Sequence, residues 1–378
     1  MALLSLAAAA GATLWILQRS GADPAEALRY LPARAHLLAA GAFAVDLLAR
    51  GTRVLLVARG LGLPLTLGTS VKAQLAGEGL GAVTPSRVGA DPAKIWVLRR
   101  DGMGVGSCGA LLVAEMGAES LVLLLSAAVI LLGPWSPWLG AGLAAYALVV
   151  SSVGIAAFLV SRASDTDPPS LWLRLGLGAG RWAALRRATR EFRADTTRLR
   201  NLRAPWVAGV LGATVVHMVA RVSVLSLLVL PMLAAGAASL PPGGATELVL
   251  RPFFVLYTTA LLPPPGGGGG VEVVFATLLG GVLPDAVLAS ALVWWRVYTF
   301  YLGAALGALV LLGPGVAAPW RSAGSEDRER GGGVATERPG GGEDEPGARA
   351  APDRTPTAPD TAPSPEMTRS FSERAGAS

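Results

Sequence analysis

Apolar residues in this chain come in unbroken blocks and do not alternate with polar ones. Val105 to Leu132, the charge-free Leu139 to Val160, Trp206 to Leu233 and Ala286 to Leu312 are each long enough to cross a bilayer, which takes roughly 20 apolar residues. Continuous runs of this kind specify helices, because a membrane barrel shows alternating strands of about ten residues. At the N-terminus, "ALLSLAAAAGATLWIL" has no basic residue ahead of its apolar run and reads as a first membrane helix, with a cleaved signal peptide as the alternative. His36 to Val57 predicts a second helix, and the charges of Asp46, Arg50 and Arg53 in its later half are expected to shorten it.

Two stretches break the pattern. "LLPPPGGGGGVEVVF" sets three prolines and five glycines between two short apolar segments, Glu247 to Leu262 and Val271 to Leu283. Backbone in hydrocarbon must pair its own N–H and C=O groups, so an unwound stretch there belongs against protein or a water-filled cavity. The two short segments read as a re-entrant hairpin or as a discontinuous helix pair. The helix that opens after Gly270 presents free N–H groups and the positive end of its dipole, which suits an anion. An earlier stretch has the same design: a glycine-interrupted helix in "TLGTSVKAQLAGEGLGAV", a break at Thr84-Pro85-Ser86, and a second helix opened by Asp91-Pro92. Paired broken segments in two halves of a membrane protein point to a binding site between repeats.

Composition and charge narrow the class. With 52% hydrophobic and 15% charged residues, the chain is an all-α polytopic membrane protein, expected to have about 6–8 transmembrane helices and two Gly/Pro-broken pairs. The loop from Arg162 to Arg203 holds ten arginines against Asp165, Asp167, Glu191 and Asp195, a net of +6. The positive-inside rule places this loop in the cytosol and, by parity, the C-terminus with it. The orientation of the N-terminus stays open. Within the loop Trp182, Leu185, Phe192 and Leu199 recur at helical spacing, so it reads either as a helix on the anionic inner leaflet or as a solvated basic loop. From residue 314 the chain turns to Pro, Gly, Ser, Thr and mixed charge, a composition that predicts a disordered cytosolic tail over 314–378 behind a transmembrane domain over 1–313.

Ionisable residues inside the apolar helices are the candidate chemistry, since each costs about 2.5–3.5 kcal/mol at mid-helix. Glu115 and Glu119 share one helix face, as do His217 and Arg221, and Glu247 and Arg251; Glu272 follows the glycine run and Arg296 sits in "ALVWWRVYTFYL". They read as mutual ion pairs holding helices together or as a polar pathway for a charged substrate. His217 reads as a packing and hydrogen-bonding residue or as a proton relay, and Trp294 and Trp295 as packing or interfacial aromatics. Cys108 is the chain's only cysteine, which excludes an intramolecular disulfide. There is no HExxH-type motif, no assembled nucleophile set and no phosphate-binding G-x-x-x-x-G-K-[ST] loop. The chain is therefore expected to be neither an enzyme nor a nucleic-acid binder, and to use no cofactor or metal.

Three stretches carry a family resemblance: "VTPSRVGADPAKIWVLRRDGM", the Pro-x-Pro-Gly-Gly-x-Gly-x-x-Glu motif in "PPPGGGGGVE" from Pro263 to Glu272, and an arginine in the last helix followed by a glycine-containing apolar run, Arg296 to Gly307. Over about Leu37 to Leu312 the chain resembles the bacterial lysylphosphatidylglycerol synthase transmembrane-region proteins, also described as flippase-like integral membrane proteins. Where that family commonly has an acid and then an arginine after the first break, this chain has Asp91 and Lys94. The resemblance implies a membrane domain that moves lipids between leaflets. Larger members carry a soluble aminoacyl-transferase domain, for which this chain has only its tail.

Together these readings predict a flippase or transporter for a phospholipid or polyprenyl phosphate in the plasma membrane, with a phosphate-bearing headgroup as ligand. The expected substrate-binding residues are Arg87, Glu115, Glu119, Arg221, Pro265, Gly266, Gly267, Gly269, Glu272 and Arg296. The alternative is a non-transporting membrane scaffold for envelope lipid metabolism.

Overall fold

A computed structural model describes residues 28–163, 179–236, 244–258, 262, 264, 267, 269–281 and 283–313, together with positions 11, 15 and 18. The expected first membrane helix, apart from those positions, the start of the basic loop, Pro265 and Gly266, and the tail from 314 lie outside the described residues. Those described belong to one compact unit, Met1–Pro319, and contain helices and no β-strand.

In chain order the helices are α1 (Ala33–Gly60), α2 (Leu67–Val83), α3 (Ala90–Arg100), α4 (Val105–Leu132), α5 (Pro137–Ala163), α6 (Ala179–Arg200), α7 (Ala204–Ala234), α8 (Glu247–Thr258), α9 (Gly270–Leu279), α10 (Asp285–Arg296) and α11 (Leu302–Leu312). A π-helical turn, Val297–Tyr301, joins the last two into one rod. Helices α4, α5 and α7 and the rod over Asp285–Leu312 are long and apolar enough to cross a membrane. The fifth long helix, α1, has the length without the apolarity. Asp46, Arg50 and Arg53 do not shorten it: it runs on to Gly60, with all three side chains buried.

The two broken stretches are hairpins that enter from opposite ends of the bundle. Helix α2 descends to the break at Thr84 and α3 returns, with Gly77 so close to the partner helix that a Cβ there would lie 3.1 Å from Lys94. The open end of this hairpin, where Thr69 donates to Asp101, lies with the start of α4 and with α6. There the Gly106 N–H donates to Glu191 at 3.3 Å and Ser107 to Asp195 at 2.6 Å. Helices α8 and α9 form the second hairpin at the other end, where Ser226 donates to the Leu248 carbonyl at 2.9 Å and Arg251 to that of Leu278. The tips meet at an exposed contact, where the Ser86 hydroxyl donates to the Leu262 carbonyl at 3.4 Å.

Lipid is as apolar as leucine, so helices in a bilayer hold together by close packing and polar contacts more than by the hydrophobic effect. The structure follows that rule. Ala35, Ala39 and Ala42 of α1 pack into a cluster with Val224, Leu225 and Leu228 of α7. Gly79 of α2 lies against Gly307 of α11, and a Cβ on Gly307 would stand 2.0 Å from the Leu75 carbonyl oxygen. The basic helix α6 turns Trp182 and Phe192 inward, where both are buried, and leaves Arg187, Arg190 and Arg200 exposed.

Candidate functional site

Where the hairpin tips meet, the bundle holds a half-open cavity of about 410 Å³. Its walls come from the middle of α4, α5 and α7, the later half of α1, both hairpins and the rod around the π-turn. Three groups of charges surround it.

The first centres on Glu78 of α2, which accepts from Arg50 of α1 at 2.5 Å and from Arg87 of the first break at 2.5 Å, with Arg221 of α7 at 3.5 Å. Behind them Asp46 pairs with Arg50 at 3.2 Å, one turn along α1, and with His217 Nδ1 at 2.6 Å; Arg221 stands 3.7 Å away. The second centres on Arg53, which pairs with Glu115 and, at 3.4 Å, with Glu119. Glu115 also accepts from Lys94 at 3.2 Å and from Gln74 at 3.1 Å. The third is Glu272 at the start of α9, paired with Arg296 of α10 at 2.8 Å. The Arg296 guanidinium lies 4.6 Å from the centre of the Phe300 ring, a cation–π contact.

Local structure explains how these side chains arrive. Helical spacing puts Glu115 with Glu119, and His217 with Arg221, on shared faces. Arg87 reaches the cavity because Ser86 and Arg87 both adopt left-handed backbone, at φ 46° and 58°. The Thr84 hydroxyl holds that turn by accepting from the Gly89 N–H at 2.9 Å. At the second break Gly267 and Gly269 take positive φ, a conformation that favours glycine, and α9 starts directly afterwards. The π-turn is a feature frequent at functional sites, and its Thr299 carbonyl accepts from Arg221 at 3.0 Å.

Burying an ion costs several kcal/mol, which close opposite charges must offset. Asp46, Glu78 and Glu115 accordingly each meet at least two cationic partners, Arg50 and Arg221 in the case of Asp46. Six cationic side chains face the cavity (Arg50, Arg53, Arg87, Lys94, Arg221, Arg296) with the four carboxylates of Glu78, Asp91, Glu115 and Glu119; Asp46 and Glu272, paired to lining arginines from behind the wall, bring the cluster to six carboxylates. Apart from the arginines, buried polar atoms of four lining residues, Gln74 Oε1, His217 Nε2, Tyr257 Oη and Trp295 Nε1, have no hydrogen-bond partner among the described residues. Cationic side chains turned to the space and unsatisfied polar atoms together suit a polar, anionic ligand.

Of the residues expected from sequence, Arg87, Glu115, Glu119, Arg221, Gly267 and Arg296 line this one cavity. Gly269 caps α9 beside it. Glu272 is fully buried behind Arg296 and does not reach the lining. Pro265 and Gly266 lie outside the described residues. Glu247 and Arg251 pair with each other at 2.8 Å away from the cavity. His217 is a buried hydrogen-bonding partner of Asp46, and Trp295 packs on Phe275 with ring centres 4.9 Å apart. Sequence reasoning missed Glu78 and Gln74 and treated Asp46, Arg50 and Arg53 as a flaw in a helix. The available signal was the cost of the α1 charges, which required buried partners elsewhere. No group of His, Cys, Asp and Glu suited to a metal occurs among the described residues.

A family model described as the lysylphosphatidylglycerol synthase TM region matches residues 2–307. No curated protein matches the chain.

Proposed function

Because the chain belongs to the lysylphosphatidylglycerol synthase TM region family, we propose that it moves a lipid with a phosphate-bearing headgroup, a phospholipid or polyprenyl phosphate, between the leaflets of the plasma membrane. An integral membrane protein of a family linked to lipid handling needs a place for a charged headgroup inside the bilayer. The observation that carries the reading is the cavity itself: a space that six cationic side chains face, at the meeting of hairpins from opposite ends, with two of their carboxylate partners set back behind the wall. The phosphate sits among Arg87, Arg221 and Arg296, beside the first turn of α9, whose dipole favours an anion. Glu78 and Glu272 hold the arginines in place. Each hairpin screens the cavity from one leaflet, so shifting them in turn exposes it alternately, as in transporters built on inverted repeats.

The exposed arginines of α6 support placing that end of the bundle, and the end of α11 with it, on the cytosolic side against anionic lipid. The reading requires no catalytic step.

The mutual pairing of the buried ions favours a second reading, a non-transporting scaffold. Leaflet exchange of fluorescent phospholipids and isoprenoid phosphates in liposomes carrying the purified protein separates the two. A transporter exchanges at least one of them and loses the exchange in Arg221→Gln and Glu272→Gln. A scaffold exchanges none, and unchanged exchange in both variants removes the cavity from the mechanism.

A further inference from the structure

A second space adjoins the charged cavity. It is an open groove of about 370 Å³ between α4, α5 and α6, sharing Asp91, Met116 and Val153 with the cavity as common wall. Apart from those shared residues its surface is made by Leu112, Val113, Gly154, Phe192 and the start of α4. Asp91 and Thr189 are the polar side chains in its lining. Along α4 it extends from Val105 to Met116, eleven residues or about 16 Å at the helical rise. That is about half the thickness of a bilayer's hydrocarbon core.

A headgroup drawn to mid-membrane cannot leave its chains among charges, and beside Asp91 the common wall presents the apolar side chains of Met116 and Val153. We propose that the groove holds an alkyl chain of the lipid whose headgroup occupies the charged cavity, with the chain running from Met116 toward Val105. The inference rests on the reading of the cavity given above, and the common wall of Met116 and Val153 between the two spaces selects the occupant. It also sets a polarity. A lipid held this way has its methyl end near α6 and its ester end at Met116. A lipid merely resident in the leaflet on the α6 side lies the other way round, with its methyl end at mid-membrane.

The test uses phosphatidylglycerol carrying a diazirine either at the methyl end of one chain or beside its ester, in liposomes with the full chain, with crosslinks located by mass spectrometry. The methyl-end probe is expected to label Val105 to Gly109, and the ester-end probe Met116 and Val153. Gly154→Trp is expected to lose both signals. A Cβ at Gly154 meets only Val113, at 3.8 Å, so the change fills the groove from an open side. Reversed labelling, no labelling of the groove, or labelling unchanged in Gly154→Trp overturns the proposal. Titration of the detergent-purified protein with soluble glycerol phosphate reads the charged cavity alone. If glycerol phosphate binds and the labelling pattern fails, the groove inference falls by itself; if glycerol phosphate does not bind, the reading of the cavity falls and the groove inference with it.

Discussion

Arg87 meets Glu78 at 2.5 Å, closing the first break back onto the helix that leads into it. The contact joins a residue in left-handed backbone to one in the body of α2. Non-glycine residues in that conformation cost roughly 1–2 kcal/mol each, and both Ser86 and Arg87 carry the cost. The ion pair is part of what offsets it.

Removing that partner exposes the debt in charge. Glu78→Gln leaves Arg50, Arg87 and Arg221 facing one another across the cavity and is expected to lower stability by about 3–5 kcal/mol, the scale of breaking a buried pair. The unfolding midpoint in detergent measures it. A change under about 1 kcal/mol, the scale of an exposed pair, would show that solvent screens this group.

The arginines should differ among themselves. Arg53, with a side chain 1% exposed and two carboxylate partners, is expected to cost more on replacement by Met than Arg87, whose side chain is 28% exposed. Thermal midpoints of Arg53→Met and Arg87→Met compare them directly, and the reverse order would place Arg87 at the structural centre of the network.

Stability and transport should separate at the third pair. Glu272→Leu alone takes the paired carboxylate from Arg296; the double change Glu272→Leu with Arg296→Met removes both charges and is expected to recover most of the lost stability, since apolar replacements of a buried pair are often neutral or better. Lipid exchange should stay absent in the double variant. Restored exchange would make the pair purely structural.

Two glycines in long helices should respond in opposite directions. Gly307→Ala drives a methyl into the Leu75 carbonyl and is expected to cost about 1–3 kcal/mol, as overpacking does. Gly117→Ala enters open space and should gain up to about 1 kcal/mol from helix propensity. Both are read from unfolding midpoints.

Cys108, the chain's only cysteine, is fully buried near the packing of α6 on α4. A maleimide should therefore leave the folded protein unmodified, and its reaction should rise with the unfolding transition. Prompt reaction in the folded state would mean that α6 lifts away from α4.

Elements set by local chemistry were legible in the sequence. Val105 to Leu132 has the same limits in both, because an apolar run between a glycine pair and a Gly-Pro stop needs nothing else to define it. Both breaks were readable from Pro and Gly, since those residues dictate backbone wherever they stand. The site was half legible. Arg87, Arg221 and Arg296 stood out as charges in apolar surroundings, whereas Glu78 hid in a glycine-rich helix that drew notice for its shape. The charges of α1 were misjudged for a related reason. Whether Arg53 ends a helix or anchors one depends on Glu115 and Glu119, more than sixty residues away, and no local pattern carries that distance. Fluctuation in spacing likewise gave no notice of the π-turn beside Arg296.

The Ser86 to Leu262 hydrogen bond has a mechanical meaning. A neutral bond of this type contributes about 1 kcal/mol net, less than twice the thermal energy. Among the described residues, the hydrogen bond between the two hairpin tips is thus one that thermal fluctuation alone can undo, while the charges on either side are locked several times more firmly. A weak contact set between firmly locked charges gives the two tips freedom to part while the ion pairs around them stay closed.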